Sequence, residues 1–277
     1  MKRSILSHVF LAALALVCLA ACQTEPVTGR KQLILLSQDE ENSLGEQAYQ
    51  DVLKKSTISH DYATVAVLNR VGERIALAAG TYETGFKWEF NLIESSEVNA
   101  FCLPGGKVAV YTGILPVCKN EAGMAAVIAH EVGHAIARHG NERISQGLIL
   151  QMVGEGIAAG TGTASPAVRE GIMQAYGIGA QVGVALPFSR RHEASADEIG
   201  LELMARAGYD PAQAVELWKR MAAQSKGSGP PKFLRTHPPD EERIADLESR
   251  QSSARAIYEK APHQYGAGEP LPGVAGK

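Results

Sequence analysis

Three polar residues interrupt an otherwise apolar run: His130, Glu131 and His134, within Ala126-Val127-Ile128-Ala129-His130-Glu131-Val132-Gly133-His134-Ala135-Ile136-Ala137. The apolar positions are spaced for a buried helix, so these groups stand where water is scarce. On a helix, residues i and i+4 lie about 40° apart and one turn along the axis, so both imidazoles point the same way and can bind one metal ion. Glu131 is offset by about 100° from His130, close enough to reach a water on that ion without displacing it. The structural alternative is two histidines bonded to carbonyls and a salt-bridged glutamate. Placement in mid-helix, with Gly140 as the expected helix stop, favours the metal.

The pattern is that of a zinc peptidase, and a catalytic Zn2+ needs a third protein ligand. In metzincins that ligand stands six residues after the second motif histidine, a position held here by Gly140. His139 is one residue short and, on a continuous helix, is turned about 140° away from His134. Glutamate is the better candidate. Ser189-Arg190-Arg191-His192-Glu193-Ala194-Ser195-Ala196-Asp197 places two carboxylates at i and i+4. Glu193 can bind the metal while Asp197 accepts the free N–H of a ligand histidine and fixes its tautomer. The alternative is an ordinary exposed acidic face. His192 points about 100° from Glu193 and reads as surface or rim.

The elements that must position these residues form one domain over residues 37–260, α+β and mainly helical, with a small antiparallel sheet beside the active-site helix. Ser37 with Glu40 is a capping box that starts a helix to about residue 55, and a second helix covers residues 61–79. Phe86, Trp88, Phe90 and Leu92 alternate with polar residues, as in a half-buried strand. Residues 98–103 and 107–112 flank Pro104-Gly105-Gly106, a hairpin signal. Asn120 and Glu121 begin the motif helix, and another helix follows over residues 141–154. The glycine-rich residues 154–164 disfavour regular structure and, lying between the metal motifs, suit a movable cover. Ser165-Pro166 starts a helix, as does Asp210-Pro211, with one at residues 190–207 between them. Residues 225–231 read as a flexible connection, 240–260 as a polar helix, and 261–277 as a disordered tail.

The N-terminus is basic at Lys2 and Arg3, then apolar over residues 9–21, a pattern expected of a secretory signal over residues 1–21. Leu19-Ala20-Ala21-Cys22 resembles a bacterial lipobox, with Cys22 as the lipidated residue and residues 22–36 as a tether. Gln23, in place of an Asp, favours the outer membrane over the inner. The expected location is therefore the bacterial periplasm, with a membrane contact through the lipid anchor. The formal charge is −3, −5 without Lys2 and Arg3, with both signs mixed along the chain, so nucleic acid is not an expected partner. Cys102 and Cys118 can pair in an oxidising compartment, closing a loop of about 17 residues for roughly 3 kcal/mol; two buried free thiols are the alternative.

At its motifs the chain resembles the HtpX-like and CAAX-prenyl-protease family of gluzincin peptidases. The match rests on His130-Glu131-Val132-Gly133-His134, on residues 189–197, and on Thr236-His237-Pro238 before Arg243-Ile244. With the hairpin it covers roughly residues 35–247. Ser195 departs from the pattern, where many members carry an acidic or bulkier residue. The resemblance implies a zincin-like fold and a periplasmic lipoprotein branch, similar to LoiP and to the catalytic domain of BepA. It implies Asn99 and Ala100 on an edge strand that binds the substrate backbone, and His237 as a donor to the oxyanion. The expected function is a zinc endopeptidase of the cell envelope acting on proteins or peptides, with Glu131 as general base. The competing class is a chaperone-like factor that binds clients for the outer-membrane assembly machinery. A structural zinc site fits poorly, because such sites are closed and cysteine-rich.

Overall fold

A computed structural model describes residues 21–82, 84–158, 188–224, 231–238 and 241–274 of the chain. An antiparallel pair, β1 (Cys22–Thr24) and β2 (Lys31–Leu33), leads to α1 (Gln38–Lys54) and α2 (Tyr62–Ala79). Then come β3 (Glu89–Ile93), β4 (Ala100–Leu103), β5 (Lys107–Tyr111), the single turn α3 (Leu115–Cys118), α4 (Glu121–Ile136) and α5 (His139–Ala158). The remainder is helical: α6 (Arg190–Arg206), α7 (Ala212–Gln224), α8 (Lys232–Thr236), α9 (Glu241–Ser249) and α10 (Gln251–Tyr258). This is the mainly helical α+β class read from the sequence. No helix among the described residues is long and apolar enough to cross a membrane.

The expected hairpin is present, with β4 and β5 antiparallel around Pro104-Gly105-Gly106. The sheet itself is mixed, not purely antiparallel, because its order is β3-β5-β4 and β3 pairs parallel to β5. After β3 the chain skips one strand position, reverses in β4, and reverses again to fill the gap with β5. That leaves β4 at an edge.

Every residue of α4 is buried, as its apolar character on all sides requires. Asn120 caps it by accepting from the Gly123 N–H at 2.8 Å. Its closest neighbour is α6, with α2, β4 and α7 also against it. Two glycines permit that approach: a Cβ on Gly133 would stand 2.7 Å from the Ala196 carbonyl oxygen, and one on Gly200 3.1 Å from the His130 nitrogen. The contact between these helices brings their polar residues together.

Five expectations about the scaffold need correction. The motif helix ends at Ile136, before Gly140; Arg138 takes a left-handed conformation, φ 56°, and a new helix begins at His139. The Arg138 guanidinium holds this turn by donating to the Leu36 carbonyl and Glu41, each at 2.7 Å. That helix runs to Ala158, five residues into the glycine-rich stretch; the rest of that stretch and the helix expected at Ser165-Pro166 lie outside the described residues. Residues 22–36 are a packed hairpin, not a tether: Glu25 and Ile34 are buried, and Arg30 pairs with Glu25 and with Glu142 of α5. The tail is ordered through residue 274, with Leu271 buried. Its Glu269 and Ala267 carbonyls each accept at 3.0 Å from Glu121 and Ala122 N–H groups, donors that the first turn of α4 cannot satisfy internally. The late polar helix is two helices, divided at Arg250.

Candidate metal centre

The site is built on α4, α6 and the end of α8. His130 and His134 stand one turn apart on α4, and their Nε2 atoms lie 3.2 Å from each other. Glu193 comes from the first turn of α6, which Ser189 caps by accepting from the His192 N–H. Its Oε1 is 3.3 Å from His134 Nε2, and its Oε2 is 3.5 Å from His130 Nε2. His237 closes α8, with Nδ1 3.2 Å from His130 Nε2 and 3.0 Å from Glu193 Oε1. One ligand atom from each of these four buried residues falls within 4.8 Å of all the others.

Several convergent lone-pair donors, nitrogen and carboxylate, are the set that a zinc ion takes. Three ring nitrogens packed this closely are not otherwise explained by the core. Glu131 stands beside them, with Oε1 3.5 Å from His237 Nε2, buried and accepting no hydrogen bond. The residues therefore fit a metal with a base next to it.

Asp197 Oδ1 is 2.9 Å from His130 Nδ1, the geometry expected for a carboxylate that orients a ligand histidine. The sequence reading did not see the part played by Arg243. This buried residue of α9 donates through Nε and Nη2 to Asp197 at 2.6 and 2.8 Å, pairs through Nη1 with Glu193 at 2.6 Å, and lies over the Trp218 ring at 3.4 Å. Its signal in the sequence was one arginine in the third motif.

The electrostatics follow from this crowding. Burial raises the Glu131 carboxyl above its usual range, against the pull of His237 and His130. Burial opposes the charged form of Glu193, but its neighbours His237 and Arg243 and the bonds from His130 and His134 hold it well below the usual range. Burial also holds His134 well below 6.5. His130 goes the other way, to about 9: burial and Arg243 work against its proton, and Asp197 and Glu193 outweigh them.

Other predicted residues lie elsewhere or behave differently. Asn99 is buried at the start of β4, its carbonyl accepting from the Tyr111 N–H at 3.1 Å and its amide donating to Glu97 at 2.9 Å. Ala100 begins the edge strand. Cys22 is exposed on β1. Of the two readings open for Cys102 and Cys118, the structure has the free thiols: each is buried in the apolar core, and burial pushes Cys118 up to about 12. Removed from water, the thiol form is the stable one. His192 is not on the rim. It is buried, 3.0 Å from Glu142 and stacked on His139, whose Nδ1 is 3.0 Å from His134 Nδ1. The expectation that His139 faces away from His134 assumed a continuous helix, which the turn at Arg138 breaks.

Beside Glu193 and Arg243 opens a cavity of about 180 Å³ with Phe188, Ala194 and Pro238 in its walls.

The chain is 36% identical over 227 residues to the mitochondrial metalloendopeptidase OMA1 of Schizosaccharomyces pombe, covering 80% of this chain and 64% of that protein. Against the Saccharomyces cerevisiae protein of the same name it is 30% identical, covering 85% and 71%. It is 27% identical to the β-barrel assembly-enhancing protease of Escherichia coli, over 88% of this chain and 50% of that one. The chain thus spans about half to two thirds of the length of these relatives. They overturn the expectation of a bacterial periplasmic location, because the relatives at 30% identity and above are mitochondrial. The physical reason is that a basic, acid-free, apolar leader and small residues before one cysteine are weak sorting signals, carrying composition and little geometry. The sequence pattern of peptidase family M48 matches residues 63–251, which include all four convergent residues and Glu131, and the chain belongs to that family.

Proposed function

We propose that the chain is a zinc-dependent endopeptidase, with His130, His134 and Glu193 as metal ligands and Glu131 as general base. The observation that supports this best is the convergence of the four buried ligand atoms beside an unbonded Glu131 oxygen. Bound there, zinc would polarise a scissile carbonyl and bring the pKa of a water down to about 7. Glu131, raised by burial, takes the proton from the attacking water and delivers it to the leaving amine. His237, within reach of both Glu131 and Glu193, donates to the developing oxyanion. Asp197 and Arg243 hold His130 and Glu193 in orientation.

The substrate is an extended protein segment that adds to the β4 edge, with Asn99 and Ala100 bonding its backbone. The cavity against Glu193 offers room for a side chain next to the scissile bond. The alternative is a role limited to client binding in outer-membrane assembly; the name of the E. coli relative joins assembly to a protease, and a binder has no need of a buried base.

Metal analysis and casein cleavage by the purified protein test this reading together. One zinc per chain, cleavage abolished by chelator, and loss of both metal and cleavage in Glu193→Ala are expected. Cleavage that survives complete metal removal would overturn it.

A further inference from the structure

The non-converging nitrogen of each α4 histidine has a partner, and the two partners differ in kind. His130 Nδ1 faces the carboxylate of Asp197 at 2.9 Å. His134 Nδ1 faces another imidazole, His139 Nδ1, at 3.0 Å. His139 is fully buried. Its ring stacks on His192, with centroids 4.4 Å apart and planes at 25°. His192 Nε2 is in turn 3.0 Å from Glu142, which receives Arg30 of the N-terminal hairpin at 2.8 and 2.5 Å.

We propose that His139 is a positioning residue for His134, accepting its Nδ1–H, and that the stacked His192, tied down by Glu142 and Arg30, fixes His139 in place. The inference rests on the metal reading above. A neutral imidazole carries one N–H. If His134 offers the Nε2 lone pair to the ion, its proton is on Nδ1, and only an acceptor at His139 Nδ1 can receive it. The proton of His139 is then on Nε2, a buried nitrogen that has no hydrogen-bond partner among the described residues. The opposite tautomer pair would place a proton on His134 Nε2, where it faces His130 Nε2 and blocks ligation. Metal ligands nearly always donate their second N–H to a fixed acceptor. Here the fold supplies that acceptor by breaking the helix at Arg138, which turns His139 back toward the residue five positions before it. The hairpin residue Arg30 thereby becomes part of the support of the metal centre.

The test compares His139→Leu, which fills the space without an acceptor, with His139→Asn, whose amide oxygen can stand where Nδ1 was. Zinc affinity is measured by chelator competition, alongside thermal unfolding of the metal-free proteins. His139→Leu should bind zinc about 10–100-fold more weakly, and His139→Asn should recover most of the loss. Equal affinities for wild type and His139→Leu, or an Asn variant as weak as the Leu variant, would overturn the role. Should the Leu variant fail to fold, zinc-loaded wild type labelled with 15N at histidine decides the matter. A coupling between the two Nδ1 nuclei across the hydrogen bond is expected, and its absence rejects the proposal. Wild type that binds no zinc removes the metal reading itself, an outcome distinct from wild type and His139→Leu binding equally tightly.

Discussion

The two ends of α4 each bury a carboxylate among charged neighbours, and they are built on opposite principles. At the N-terminal end Glu121 is 3% exposed and every acceptor is used. Arg70 donates to Oε1, while Arg74 and Tyr209 donate to Oε2 at 3.1 and 3.0 Å. At the C-terminal end Glu131 Oε1 accepts no hydrogen bond among the described residues, and the imidazoles of His130, His134 and His237 direct ring nitrogens at one another. A buried network whose donors and acceptors balance holds a helix in place. One that leaves a buried acceptor unbonded and crowds ring nitrogens together suits a water or an ion at its centre. The same helix thus separates support from the candidate site by nearly three turns.

The contrast breaks most sharply at Glu131. Glu131→Gln keeps the shape and removes the base, so cleavage should fall by about 10²–10⁴-fold with zinc content unchanged. A variant that cleaves normally would place Glu131 with the structural residues. Glu121→Ala should do the reverse: a loss of about 2 kcal/mol in stability, since Arg70 is partly exposed and screened, with zinc affinity unaltered. Denaturant unfolding and chelator competition separate the two effects, and zinc loss at wild-type stability would dissolve the distinction. The smallest effect concerns Glu142, between support and site. Burial opposes its charge, but Arg30 and His192 bring it from 4.5 to about 2. A carboxylate lowered on folding contributes stability above its unfolded value, and that contribution is lost as pH falls from about 4.5 toward 2. Wild type should exceed Glu142→Gln by on the order of 1–2 kcal/mol at pH 7, and the gap should close across that window. A gap independent of pH would mean that Glu142 acts by packing.

Much of the site was legible because its parts are local. The i, i+4 spacing of His130 with His134 and of Glu193 with Asp197 places each pair on one helical face whatever the rest of the chain does. Capping at Ser37 was legible for the same reason. Leu77 stands two residues after Ile75, off the buried face of α2, and is 82% exposed. The hairpin was readable from Pro104-Gly105-Gly106, whereas the parallel pairing of β3 depends on a strand that arrives later and inserts between its neighbours.

By itself, then, the sequence determined the two half-sites, the helices that carry them and the mainly helical class, all governed by contacts within a few residues. The tertiary structure alone decided that Gly133 and Gly200 let those helices close, that Arg243 reaches Glu193 and Asp197, and that a left-handed Arg138 folds His139 behind His134. It also decided that Cys102 and Cys118 stay apart and that residues 22–34 and 265–274 pack against the rest of the domain. Each of these depends on approaches between distant segments, which residue spacing does not encode. A backbone reversal at one residue is enough to change which side chains meet.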